Sequence, residues 1–459
     1  MPITASSGAL TYARVSSEVD SEYWFIQPTT ASTFNFLTVS SSNIYLSSYA
    51  SGDYINFMRI EGTSNPAINY NKQYYNQQGL FSQAQFYSDG TTAKVAGWVR
   101  DLHPSGFPQQ SVLYGYSADI TLSTGAIAND LKLLPRTTPG ASPDQLQLIL
   151  RQYATDGTND WYTFQYDAAV DPVYAGLNLN NTNAIQFNEG GTPSTTVQFT
   201  SGLKLDASGN PIVLYTRIPT LGTIYDAVLK KIDKTPTGGN PDLPELWEIV
   251  FSNATNNIKS SDLQLDSSDN SYITMYDETD EDGYLAKVNT SGTLQWQVKV
   301  TNTKLYGVYL KSDTEIFVVG MTDTDRLWVA EFNDSGTIQW QNEMIGTVAF
   351  TNPASTEDSV AKIHYDNDDL YIGGNGGYNT NTFVLKVPAD GSIPQTGEYV
   401  FTDGSINTYQ TSSQTVATGS LTTTGVSNTI NHFVTSNNSS PAPTVGTLSD
   451  VKNIAFPLL

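Results

Sequence analysis

The sequence contains no cysteine. A disulfide framework, thiolate catalysis, iron–sulfur clusters and cysteine-held zinc are therefore excluded. Basic charge is also scarce, with 22 Lys and Arg against 45 Asp and Glu and a formal net charge of −23. Such a surface repels phosphate backbones and anionic membranes, so nucleic acid is not an expected partner. Histidine is nearly missing. His103, His364 and His432 lie far apart in the chain, and the last two fall inside apparent strands. They read as ordinary sheet-face residues rather than a metal site or a catalytic triad. No long hydrophobic run occurs. The longest apolar stretches, such as residues 316–320, are strand-sized, and a spanning helix needs roughly 18 or more apolar residues. The first residues, Met1-Pro-Ile-Thr-Ala-Ser-Ser-Gly8, have neither the basic nor the apolar region of an export signal. The expectation is a soluble product made in the cytoplasm. Neither a Gly-x-Ser-x-Gly elbow nor a phosphate-binding glycine loop is found.

Aromatic residues are plentiful, with Tyr 27, Phe 18 and Trp 7. Charged residues are only 15% and hydrophobic residues 39%. Disordered chains combine few aromatics with dense charge, so this one folds, and its texture is β-rich.

The chain repeats itself. Tyr284-Leu-Ala-Lys-Val-Asn-Thr-Ser-Gly-Thr-Leu-Gln-Trp296 matches Leu327-Trp-Val-Ala-Glu-Phe-Asn-Asp-Ser-Gly-Thr-Ile-Gln-Trp340. Gly336 follows Gly292 by 44 positions, and Trp340 follows Trp296 by the same 44. Further copies run from Phe383 through Gly391 to Ile393, from Ala227 to Trp247, and from Tyr116 through Gly125 to Ile127. Each alternates apolar and polar residues, turns at Asn/Asp-x-x-Gly, and alternates again, as a β-hairpin does. Glycine suits the turn because a positive φ carries no side-chain penalty there. The tryptophan offers a large apolar face to a neighbouring sheet.

A second hairpin precedes each copy. Residues 203–215, 263–275, 309–320 and 363–373 read so, as do 36–46, 86–97 and a late 407–419. Two hairpins per period of roughly 45–55 residues make a four-stranded unit, and radial repetition of such units is a propeller. The expected fold is all-β, a β-propeller of seven or eight four-stranded blades over residues 1–437. Strands near Leu10–Val15 and Tyr23–Ile26 would complete the last blade and close the ring. Residues 438–459 form a C-terminal extension that either packs on the ring or docks a partner.

The Lys-Val-Asn-x-x-Gly-x-Leu-x-Trp unit resembles the repeats of PQQ-like and related bacterial β-propellers. That resemblance is clearest between residues 200 and 395, and it implies the fold far more than any activity. The Cys-free, Ser/Thr/Asn-rich texture also resembles virion structural proteins of tailed bacteriophages. It implies a tail, neck, baseplate or capsid-surface component in multiple copies, with other virion proteins and a host surface glycan or receptor as partners.

Candidate chemistry is sparse. The densest acidic run is Asp277-Glu-Thr-Asp-Glu-Asp-Gly283, and Asp277, Asp280 and Asp282 are weak calcium candidates. The later glutamate of a calcium loop is missing, so a solvated inter-strand loop is the plainer reading. Tyr74, Tyr75, Trp98 and Trp161 could stack on sugars, with core and strand-face roles as the alternative. No catalytic residue and no cofactor are expected. The leading expectation is a non-enzymatic structural or interaction protein of a phage particle. A glycan-binding or glycan-degrading propeller comes second. A quinone-dependent dehydrogenase comes third, implied by the repeat resemblance alone. The repeat residues Trp247, Gly292, Trp296, Gly336, Trp340 and Gly391 are assigned to architecture.

Overall fold

The computed structural model describes residues 10–15, 23–28, 32–50, 54–61, 67–75, 82–88, 91–102, 111–134, 148–155, 160–168, 171–178, 183–187, 196–218, 224–235, 245–346, 361–376, 381–394, 396–401, 406–425, 444–446 and 452–454. Among these residues every regular element is a β-strand.

The chain opens with β1 (Leu10–Val15) and β2 (Trp24–Pro28). Groups of four antiparallel strands come next. The first is β3 (Ser32–Ser40), β4 (Asn43–Ala50), β5 (Tyr54–Glu61) and β6 (Ala67–Tyr75). The second is β7 (Ser82–Ser88), β8 (Thr92–Leu102), β9 (Ser111–Thr121) and β10 (Ala126–Leu134). Then come β11 (Leu148–Thr155), β12 (Asp160–Ala168), β13 (Asp171–Asn178) and β14 (Asn183–Phe187). The fourth group is β15 (Thr196–Leu205), β16 (Pro211–Ile218), β17 (Asp226–Ile232) and β18 (Glu245–Ser252). The fifth is β19 (Ile258–Leu265), β20 (Ser271–Asp277), β21 (Gly283–Val288) and β22 (Leu294–Val300). The sixth is β23 (Thr303–Leu310), β24 (Ile316–Thr322), β25 (Leu327–Phe332) and β26 (Ile338–Gly346).

The last group has only three strands from its own stretch of chain: β27 (Ala361–Asp366), β28 (Asp369–Gly376) and β29 (Asn381–Pro388). Its fourth strand is β2, where Phe25 faces Leu385 and Ile26 faces Val384. β1 adds a fifth. The N-terminal strands therefore share one sheet with strands late in the chain, as the alternation at Leu10–Val15 and Tyr23–Ile26 implies.

The groups pack in chain order through their first strands. β3 lies against β7, β7 against β11, β11 against β15, β15 against β19, β19 against β23 and β23 against β27. β27 in turn lies against β3. The contacts are apolar at matching positions. Leu37, Leu203, Leu263, Val308 and Ile363 each sit one residue before a polar or aromatic neighbour on the first strand, and all five are buried.

Beyond β29 the chain departs from the repeat. The sequence reads 407–419 as one more upstream hairpin, and this expectation is overturned. The segment instead supplies separate edge strands to other sheets. β30 (Glu398–Phe401) pairs with β1 and β31 (Ile406–Thr411), while β31 also pairs with β26, so two groups merge into one 11-stranded sheet. β32 (Val416–Thr418) then pairs with β22, and β33 (Thr422–Gly425) with β18. β34 (Thr444–Gly446) pairs with β10, and β35 (Lys452–Ile454) with β6. The C-terminal segment thus visits the outer strands in reverse chain order. Its alternating Thr and Ser satisfy a half-exposed edge strand just as they would a hairpin, which is why the pattern misleads.

Buried charge also organises the interior. In the fourth group the Lys230 ammonium lies 2.6 Å from Glu248 and 3.1 Å from Glu245, with each side chain under a tenth exposed. Arg217 reaches the same Glu248 at 3.5 Å. Removing one member of a buried ion pair leaves the other charge uncompensated. Lys230→Met is expected to lower unfolding free energy by about 3 kcal/mol, the low end of the usual range because Arg217 remains. Urea titration followed by tryptophan fluorescence measures it.

Candidate functional site

The repeat residues form a clasp between adjacent groups. Asn289 closes its turn by accepting hydrogen bonds at Oδ1 from the Ser291 and Thr293 amides, at 3.1 and 2.9 Å. Asn333 does the same for Ser335 and Thr337. Gly292, Gly336 and Gly391 adopt φ of 79°, 76° and 75°. A β-carbon at Gly292 would strike Trp247, one at Gly336 would strike Trp296, and one at Gly391 would strike Trp340. Each tryptophan therefore lies on the turn glycine of the following group. The indoles of Trp247 and Trp296 also donate to the carbonyls of Thr290 and Asp334, at 2.9 and 2.7 Å. Trp340 instead donates to Glu331 in its own group, at 2.7 Å.

The lysine of the Lys-Val-Asn unit has a partner that sequence alone does not reveal. Lys231 pairs with Asp206 at 2.8 Å and Lys386 with Asp369 at 2.8 Å, each tying a third strand to the first hairpin turn. Burial pushes the Asp206 carboxyl up, but hydrogen bonds from Lys231 and Asn210 outweigh it and hold the group below its ordinary value.

The acidic run is a self-bonded loop. Asp277 is fully buried, and its Oδ1 accepts from the amides of Thr279 and Asp280, at 2.8 and 3.1 Å. Asn256 bridges Asp277 and Asp280, at 2.8 and 2.7 Å. Asp282 accepts from the Asn302 amide and pairs with Lys299. Among the described residues no group of three or more His, Asp or Glu side chains is arranged to hold a metal. Trp161 is buried among Leu203, Val213 and Tyr215, so it presents no face to a sugar. Tyr74, Tyr75 and Trp98 lie on β6 and β8, with side chains outside the described residues, as are His103 and His432.

Polar chemistry collects instead on the first strands. The pairing register is displaced between Ser260 and Asp262 on β19, and at matching places on β3, β11, β15 and β23. Such bulges bend a strand and re-aim its side chains. Ser201 donates to Ser260 at 2.7 Å, and Ser261 to the Leu305 carbonyl at 2.7 Å, linking successive first strands. Asp262 is the hub. Its Oδ1 caps the Leu263 amide at 3.0 Å and its Oδ2 accepts from the Val308 amide of β23 at 3.1 Å. The Lys362 ammonium of β27 meets Oδ1 at 2.8 Å. The Asp262–Lys362 pair therefore joins the two strands that flank β23.

Lys204, partly buried on β15, feels the same two charges. Burial lowers its ammonium pKa, Asp262 opposes that shift, and Lys362 adds to it. At the register of Lys204 the neighbouring first strands place Gln264, Tyr309 and His364. The rings of Tyr309 and His364 stand 4.7 Å apart. Burial drives the His364 imidazole down to about 4, against the pull of Asp366 and a hydrogen bond to Val39.

That shift has a stability consequence. The unfolded chain protonates His364 near its ordinary value of 6.5, whereas the folded chain does so only near 4. The contribution is complete above pH 6.5 and is lost as pH falls toward 4. The wild type is expected to lose about 3 kcal/mol more across that window than His364→Gln, from chemical denaturation at each pH.

No protein-family model matches the sequence, and no curated protein matches it. Solved structures do match in shape. Apo prolyl oligopeptidase B from Galerina marginata aligns at 10% identity with a TM-score of 0.43, over 83% of this chain and 52% of that one. The chain thus spans about half the length of that enzyme. A protein of unknown function from Dyadobacter fermentans aligns at 11% identity with a TM-score of 0.40, over 78% of this chain and 96% of that one.

Proposed function

We propose that the chain is a seven-bladed β-propeller acting as a non-catalytic interaction scaffold. Each four-stranded group is a blade, and the packing of β27 against β3 supports a closed ring. The observation that carries the functional reading is the C-terminal segment. It lays a fifth strand on β6, β10, β18, β22 and β26. An exposed strand edge templates unwanted pairing. A ring with five of its outer strands covered by its own chain, and β14 without an added strand among the described residues, directs most contacts to its loops and its axis. This suits a part used in many copies within an assembly, and a bacteriophage particle, in its tail, neck, baseplate or capsid surface, is the setting we propose. Mass spectrometry of purified particles encoded beside this gene is expected to find the chain at structural abundance. Particles that lack it would remove the setting, and shortening of a host polysaccharide by the purified protein would remove the non-catalytic reading.

A further inference from the structure

We propose that the outer edge of β14 is a strand-docking site and that its occupant is this chain's own segment, residues 429–434. The inference rests on the propeller reading, which sets the outer strands β6, β10, β14, β18, β22 and β26 side by side on one rim.

The starting point is an interrupted series. From Ile406 onward, β31, β32, β33, β34 and β35 pair in turn with β26, β22, β18, β10 and β6, each antiparallel. The groups are visited in reverse order, and one is passed over. The third group, β11 to β14, carries no added strand among the described residues. It packs between the group that β33 joins and the group that β34 joins. Chain length shows where the missing visit fits. Steps between neighbouring groups need little chain, and residues 412–415, 419–421 and 447–451 make the links. From β33 to β34 the chain has residues 426–443, which lie outside the described residues. Two short links with a strand between them use that length.

The sequence of the stretch points the same way. Thr429-Ile-Asn-His-Phe-Val434 is rich in β-branched and aromatic residues and contains no Gly, Pro, Lys, Arg, Asp or Glu. Residues 426–428 separate it from β33, just as residues 419–421 separate β32 from β33. Behind it, Asn437-Asn-Ser-Ser-Pro-Ala-Pro443 supplies the turn and linker residues that end a strand. The edge of β14 needs a cover. Natural sheets blunt exposed edges with charge, proline or a bulge. β14, Asn183-Ala-Ile-Gln-Phe187, has neither charge nor proline. Its register with β13 runs unbroken from Asn183 to Phe187. An antiparallel strand satisfies the outward amides and carbonyls of such an edge, as it does on the five other outer strands.

The cysteine-free chain allows a direct test. Opposite residues of an antiparallel pair stand about 4.5–5.5 Å apart, within disulfide reach. Ala184→Cys is combined with a single cysteine at each position from 429 to 434 in turn, and each full-length variant is oxidised mildly in its native state. A disulfide within one chain is expected at one register, read as a linked peptide by mass spectrometry and as faster migration on a non-reducing gel. A disulfide between two chains would assign the edge to a second copy and overturn the inference, as would the lack of a disulfide at every position. Ser252→Cys/Thr422→Cys, opposite one another on β18 and β33, is the control. If the control bridges and no β14 variant does, only this inference fails. If the control fails as well, the covered rim that carries the proposed function fails with it.

Discussion

Gly391→Val is expected to destabilise the fold by about 2–5 kcal/mol, through two separable terms. Gly391 holds φ at 75°, and a left-handed conformation costs a residue with a β-carbon about 1–2 kcal/mol. The added carbon would also stand 2.4 Å from Cγ and Cδ2 of Trp340, and overpacking costs about 1–3 kcal/mol. A second substitution separates them. Trp340→Leu in the Gly391→Val background is expected to recover the steric share and leave the conformational one. Denaturation midpoints of the wild type, both single variants and the double variant complete the cycle. Simple additivity of the two changes would mean that the indole does not rest on the turn.

Removing residues 402–459 is expected to make the chain self-associate more strongly than the full chain does. The truncation uncovers the outer strands β6, β10, β18, β22 and β26 together. It also removes Tyr409, which is buried and whose hydroxyl accepts from Asn342 at 3.2 Å. Burial pushes that hydroxyl well above its ordinary range, so it stays neutral in any working buffer. Tyr409→Ala is expected to cost about 4 kcal/mol through the cavity alone, as for other large aromatics. Light scattering after size exclusion distinguishes the two effects. The point variant should elute as the wild type does and melt lower, whereas the truncated chain should elute as a concentration-dependent mixture of larger species.

The architecture was readable because its determinants are local. Asn289, Gly292 and Trp296 lie close together in the chain, and a turn, a positive φ and an aromatic face each come from residue type. That the N-terminal strands share a sheet with strands late in the chain was also readable, since the strands near Leu10–Val15 and Tyr23–Ile26 precede the first clear upstream hairpin. The C-terminal segment was not. Strand propensity at 407–419 says that β31 and β32 are extended, and it cannot say which distant edge each will join. The Asp262–Lys362 pair was hidden for the same physical reason. Its two residues come from separate strand groups and appear in no motif. Only the packing of their first strands brings these charges together. Histidine illustrates the point: His364 reads as a sheet-face residue, and its low pKa comes from burial, which outweighs the opposing hydrogen bond with Val39 of β3.

Electron cryomicroscopy of the full chain most directly tests the proposed closed ring of seven blades with the C-terminal segment on its rim. Seven sheets are expected around one axis, with β27 beside β3 and an extra outer strand on the sheets of β6, β10, β18, β22 and β26. Eight sheets, or an arc left open between β27 and β3, would contradict it.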